Sequence, residues 1–391
     1  MAVEQVSVRR GGGGGARVAT RWDAAKAPIR HLDFLLIGAV AALVTFGCVA
    51  IASSSRVGLL AAGEDPNLYL KKQIASAALA TGLFILMLLF DYRQLRTIAS
   101  VLYGGVLLLL VFVLTPLGYE TYGAQSWINL GFMRIQPAEL MKVGLFISLA
   151  AWLSKRKDSE IGLFGTAVVI GRMALPALLI FLQPDLGTMM VLPAIAFAVL
   201  LVAGVKARWL ALVTGAGVLA FVLMAQLGIV QQYQIERLTG FLDPAESSRA
   251  GYNLTQSKLA VGSGGVAGRG LFQGTQTNLD FVPEQHTDFI FTAIAEETGF
   301  LGSALLMALY AALVWRGLRI AMLSKDRFGT LLAAGVTGML AFQVFVNIGM
   351  TVGIMPITGI PLPLVSYGGS SLVATFASIG LLMNVHMRRF Q

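Results

Sequence analysis

The stretch Asp33-Phe34-Leu35-Leu36-Ile37-Gly38-Ala39-Val40-Ala41-Ala42-Leu43-Val44-Thr45-Phe46-Gly47-Cys48-Val49-Ala50-Ile51-Ala52 carries a charge at its first position and none afterwards. About 20 apolar residues in a helix match the hydrocarbon thickness of a bilayer. Comparable runs recur along the chain at 33–52, 72–90, 98–115, 137–153, 162–182, 186–204, 208–228, 288–315, 328–351 and 363–385. Gln183-Pro184-Asp185 alone separates the fifth from the sixth. With 56% hydrophobic and 13% charged residues, against about 25% charged in soluble domains, the chain reads as an all-α polytopic membrane protein of about ten transmembrane helices.

Lys and Arg placement sets the orientation. With both termini cytoplasmic, about two thirds of the 29 basic residues fall on the cytoplasmic side, whereas Asp185, Asp243, Glu246, Asp280, Glu284 and Asp288 fall on the other. The net charge of +9 is therefore a topology signal suited to an anionic inner leaflet and does not point to nucleic acid. A single cysteine, Cys48, excludes an intramolecular disulfide or a thiolate metal cluster. Residues 1–30, with Gly11 to Gly15 and scattered Arg, read as a flexible cytoplasmic tail, and 31–391 as one transmembrane domain. The first apolar run lacks a small-residue cleavage site and reads as a retained helix.

One segment interrupts this pattern. Residues 229–288, between the seventh and eighth helices, form a large extracytoplasmic loop, too long to be a plain connection. Its scattered aromatic and aliphatic residues predict short helices on the membrane face, separated by a glycine-rich turn at 262–270. Two further outer segments, 116–136 and the Pro- and Gly-rich 352–369, read as irregular, and the three together predict a shared outer cleft.

Ionisable groups at such a boundary are expensive to keep. Asp288 stands where the loop re-enters the membrane, with Glu284, His286 and Thr287 nearby. It could act as a general base or metal ligand, or Thr287 or Asp288 could simply cap the next helix. His286 in a wet loop suits a supporting role, and no dedicated metal-ligand spacing is present. Glu139 and Lys142, three residues apart at a helix start, form either a structural ion pair or part of the cleft lining. Asp185 either caps the sixth helix or faces the cleft. Gly262 to Gly270 lacks the strand–helix context of a dinucleotide site; it is a tight turn, or a cradle of N–H groups for a phosphate, with Arg269, Lys258 and Arg237 adding positive charge.

These motifs together resemble the SEDS family of bacterial cell-wall proteins. The strings are Gly123-Ala124-Gln125-Ser126-Trp127, Gln136-Pro137-Ala138-Glu139-Leu140-Met141-Lys142, Gln183-Pro184-Asp185-Leu186-Gly187-Thr188, Gly262-Ser263-Gly264-Gly265, Gly274-Thr275-Gln276, Pro283-Glu284-Gln285-His286-Thr287-Asp288-Phe289 and Pro361-Leu362-Pro363-Leu364-Val365-Ser366-Tyr367-Gly368-Gly369-Ser370. The resemblance runs from about residue 33 to the C-terminus and is closest to the elongation member rather than the division member. Ala138 replaces a frequent Ser, and Gln285 a typical Arg or Ala.

The resemblance implies a ten-helix glycosyltransferase that polymerises lipid II into peptidoglycan at the outer face of the bacterial plasma membrane. It places the family's catalytic aspartate at Asp288 and its intramembrane pair at Glu139 and Lys142. Gln136, Asp185 and Ser366, inside the matched strings, join Lys258, Arg237 and Arg269 as candidate substrate-binding residues. The implied partners are the growing glycan strand, membrane lipid and a class B penicillin-binding protein that crosslinks. A divalent cation, Mg or Mn, is expected to support activity, and no organic cofactor. Ten helices with an intramembrane charged pair would also suit a lipid II flippase, though the polar chemistry is one-sided. A non-enzymatic scaffold would leave Asp288 dispensable.

Overall fold

The computed structural model describes residues 31–121, 124–129, 131, 134–156, 161–228, 230–241, 249–279 and 284–389, so the expected tail at 1–30 lies outside it. Among these residues nine helices are long and apolar enough to cross a membrane: α1 (Phe34–Ala61), α2 (Leu68–Leu89), α3 (Tyr92–Val113), α4 (Pro137–Ser154), α5 (Leu163–Phe181), α7 (Ala207–Gln226), α11 (Ile290–Leu323), α12 (Arg327–Val352) and α13 (Gly369–Met387). A shorter apolar helix, α6 (Leu186–Val202), completes the ten segments expected. The protein is a multi-pass membrane protein.

Local chemistry starts these helices where they start. Asp33, Asp91, Asp185 and Asp326 each occupy an N-cap and accept a hydrogen bond from a first-turn N–H, at 3.1, 2.9, 2.9 and 2.6 Å. Such caps satisfy donors that would otherwise face the membrane unpaired. Pro137 opens α4, and Gly353, at φ +82°, closes α12 with the left-handed residue that L side chains resist. The bundle centres on α4, α12 and α13, which are mostly buried, while α2, α3 and α7 present Leu, Val and Ile to lipid. Without water to drive helix association, close packing does the work. Gly335 of α12 lies against Phe146 of α4, and Gly47 of α1 against the backbone of Val365.

One connection departs from expectation and another follows it. Residues 119–135 are not irregular but form a small antiparallel sheet, β1 (Tyr119–Thr121), β2 (Ala124–Asn129) and β3 (Arg134–Ile135), with Tyr119 opposite Trp127 and Ile128 opposite Ile135. Within 229–288 the short helices are α8 (Gln232–Thr239), α9 (Arg249–Ser263) and α10 (Thr275–Asn278).

The glycine-rich turn is no phosphate cradle. Helix α11 breaks at Gly299 (φ 64°, ψ −160°), and the turn docks into the break. Arg269 and Gly270 N–H groups donate to Glu296 and Glu297 carbonyls, both at 3.0 Å, and Phe300 and Leu301 donate to Gly265 and Val266 carbonyls at 2.9 and 3.1 Å. The donors a phosphate would need replace the helical bonds lost at the break. Glu296, fully buried, accepts the N–H groups of Gln276 and Thr277 at 2.8 and 2.9 Å and so caps α10.

Candidate active site

Asp288 lies in the turn 284–289 that leads into α11. The capping alternative does not hold. Phe289 occupies the N-cap without a side-chain bond, and the Thr287 hydroxyl donates to the Glu284 carbonyl at 3.1 Å. Among the described residues, nothing hydrogen-bonds or ion-pairs with the Asp288 carboxylate, which faces Gly359 of the segment 353–368. A Cβ on Gly359 would lie 3.1 Å from Asp288 Oδ2 and 3.9 Å from Arg237 Nη1, so that glycine makes room for the meeting of acid and base. Gly359 is at φ +73°. On its other side the backbone at 358–359 packs on Gly187 of α6, where a Cβ would come within 2.6 Å of the Thr358 carbonyl oxygen.

Burial pushes the Asp288 carboxyl up to about 6, with the negative charges of Glu284 and Asp185 adding to the rise and Arg237 opposing it. Helix α8 brings Arg237 there: its carbonyl accepts from Ile357 N–H at 3.3 Å, and its guanidinium lies 5.8 Å from the Tyr233 ring centre. Of the two roles the sequence left open for Asp185, the structure shows the cap. One oxygen caps α6 and the other accepts from Gln136 Nε2 at 2.7 Å. The Gln136 backbone N–H in turn donates to Ser370 Oγ at 3.1 Å. Behind them Glu139 and Lys142 pair at 2.6 Å, each only 2% exposed, in electrostatic reach of Asp185. Asp288, Arg237, Asp185, Gln136, Glu139 and Lys142 thus share one end of the bundle.

The remaining candidates are placed differently. His286 stacks on Tyr69 of α2 at 4.5 Å with Tyr367 5.7 Å away, and its carbonyl accepts from Tyr367 N–H at 2.9 Å. Its ring belongs to an aromatic cluster that joins α2 to the turn. Ser366 is buried, and its hydroxyl accepts from Leu362 N–H at 2.8 Å, which helps to shape the 361–368 turn. Glu284 is exposed at φ +54°. Lys258 lies across Gly353 at the end of α12. Arg269 sits on the turn docked against Glu296 and folds back to the Ser263 carbonyl at 3.2 Å, away from Asp288.

Sequence reasoning missed Gly359 and Asn347. Asn347 is wholly buried in α12, and its Nδ2 donates to the carbonyls of Asp288 and Ile360 at 2.8 and 2.7 Å. A polar amide inside an apolar run was the available signal. Among the described residues no three His, Cys, Asp or Glu side chains converge as a metal site.

The cell cycle protein family model spanning FtsW, RodA and SpoVE matches residues 33–391. The peptidoglycan glycosyltransferase MrdB of Escherichia coli K12 is 37% identical over 371 residues, covering 95% of this chain and 96% of MrdB. A chain from a peptidoglycan synthase complex that coordinates polymerization and crosslinking superposes with a TM-score of 0.77 at 35% identity, covering 92% of this chain and 99% of that one. The rod shape determining protein RodA of Thermus thermophilus gives a TM-score of 0.69 at 34% identity, covering 92% and 98%.

Proposed function

Because the chain belongs to the FtsW/RodA/SpoVE family of cell cycle proteins, we propose that it is a peptidoglycan glycosyltransferase that polymerises lipid II during cell elongation, with Asp288 as its general base. The observation that carries the reading is the Asp288 carboxylate itself, which stands at the mouth of α11, caps nothing and lies against Gly359 near Arg237. The Lys and Arg bias puts this end of the bundle outside, where two lipid-linked substrates can keep their tails in the bilayer and bring only head groups to the site.

The acceptor hydroxyl attacks the anomeric carbon of the donor sugar, a C–O bond forms there, and the bond from that carbon to the diphosphate oxygen breaks. The hydroxyl proton passes to Asp288 and then to water; such general-base help contributes about 10²–10⁴-fold. A single in-line displacement inverts the anomeric configuration and needs no second carboxylate. Arg237, and beyond it Lys258, supply positive charge for the departing diphosphate. A divalent cation, Mg or Mn, would help to neutralise the charge that builds on the departing diphosphate. The proposed partner is a crosslinking class B penicillin-binding protein, as the synthase complex containing the similar chain suggests.

The test is polymerisation of purified lipid II by the protein with its transpeptidase partner, comparing wild type with Asp288→Asn at equal folded yield. Glycan ladders from wild type alone support the assignment. Ladders from both remove Asp288 as the base.

A further inference from the structure

We propose that Asn347 is a positioning residue that holds Asp288 in its working place through the main chain. The inference rests on Asp288 being the base. Because nothing among the described residues bonds its carboxylate, the side chain can be placed only by its own backbone and by what surrounds it.

That backbone is anchored unusually. In a regular helix the N–H of Thr292 would donate to the Asp288 carbonyl; here it goes to Phe289 O at 3.0 Å. The Asp288 carbonyl would be left in an apolar interior, which is costly. Asn347 Nδ2 supplies the donor at 2.8 Å and gives its second hydrogen to Ile360 O at 2.7 Å. One buried amide therefore binds the turn 284–289 and the segment 353–368 to α12, with the two carbonyl oxygens no more than 5.5 Å apart. Ile360 directly follows Gly359, the residue against which the carboxylate rests. The same bracket fixes the acid and the wall it leans on.

A displacement of about 1 Å in a reacting group can cost 10²-fold in rate. Loss of the bracket should therefore lower kcat while leaving substrate binding nearly intact. It should also admit water to Asp288 and move the acidic limb of the pH–rate profile downward. Glu284 on the same turn, Arg237 from α8 and Asp185 at the start of α6 face the carboxylate, and they set where that limb comes to rest.

The experiment compares Asn347→Ala, Asn347→Asp and Asp288→Asn with wild type, using lipid II polymerisation per mole of monodisperse protein across pH. The expected result for Asn347→Ala is a kcat lower by about 10–100-fold, KM within about threefold and a limb displaced to lower pH. Asn347→Asp, protonated in its buried site, keeps one O–H donor and should recover part of the loss. A kcat within about threefold of wild type for Asn347→Ala, with Asp288→Asn inactive, overturns the proposal and leaves the base assignment standing. An unmoved limb with activity falling only as folded protein falls also overturns it. Polymerisation by Asp288→Asn would instead remove the base assignment on which it stands.

Discussion

Replacing Arg237 by Gln should move the acidic limb of the polymerisation pH profile upward, by an amount the geometry bounds from below. Asp288 must be ionised to accept a proton, and its carboxyl is pushed up to about 6, so wild-type kcat should be half-maximal near pH 6 and about a tenth of its plateau one unit lower. Asp288 Oδ2 and Arg237 Nη1 lie 3.1 and 3.9 Å from one point, the position of a Cβ on Gly359, and are therefore at most 7.0 Å apart. At that separation two unit charges attract by about 0.6 kcal/mol with the dielectric of water and by about 2.4 kcal/mol at an effective value near 20. Losing the attraction raises the carboxyl by roughly 0.4 to 1.7 pH units. The assay is kcat for lipid II polymerisation between about pH 5 and 8.5. The plateau will also fall as Arg237 ceases to neutralise diphosphate, so the limb midpoint is read separately from its height. A midpoint that stays put or moves down would refute this arrangement of charges around Asp288. Glu284→Gln, which removes a charge that raises the same carboxyl, should move the midpoint the other way.

Four further outcomes are expected. A carboxyl raised in the folded state favours its protonated form, so the stability that Asp288 costs grows as pH rises from about 4 to about 6, is full above that and vanishes well below 4; Asp288→Asn should melt higher than wild type in detergent at pH 7.5, by no more than about 3 kcal/mol, and equally at low pH. Gly359→Ala places a Cβ 3.1 Å from Asp288 Oδ2 at φ +73°, so it should cost about 1–2 kcal/mol by thermal melting and proportionally more in kcat. Glu139→Gln or Lys142→Met alone leaves a charge buried and should cost about 3–5 kcal/mol, while the double variant recovers most of that loss in a melting cycle. Gly268→Ala drives a Cβ to 2.1 Å from the Glu297 carbonyl oxygen with φ at +81°, so the turn should undock from α11, with a loss of at least about 2 kcal/mol seen as a lower melting temperature and folded yield.

The ten apolar segments and the end of the bundle that holds the ionisable groups were legible in the chain, because lipid imposes a one-dimensional rule on composition. Asp288 and the Glu139–Lys142 pair stood out for the same reason: charge at membrane depth is rare. Whether Asp288 capped α11 was not legible. That depended on the N-cap falling at Phe289 and on a glycine 71 residues away opening space for the carboxylate.

The sheet at 119–135 was missed because its strands of 3, 6 and 2 residues are too short to show a period. Whether the glycine turn was a plain turn or a phosphate cradle stayed open because its partner is the break at Gly299, and a single glycine in an apolar helix does not announce a break. By itself the sequence determined how often the chain crosses the membrane and which side chains are too costly to be idle. Only the tertiary structure decided which of them meet, because those meetings run through backbone carbonyls and Cβ-less glycines of distant segments, and such contacts leave no mark on composition.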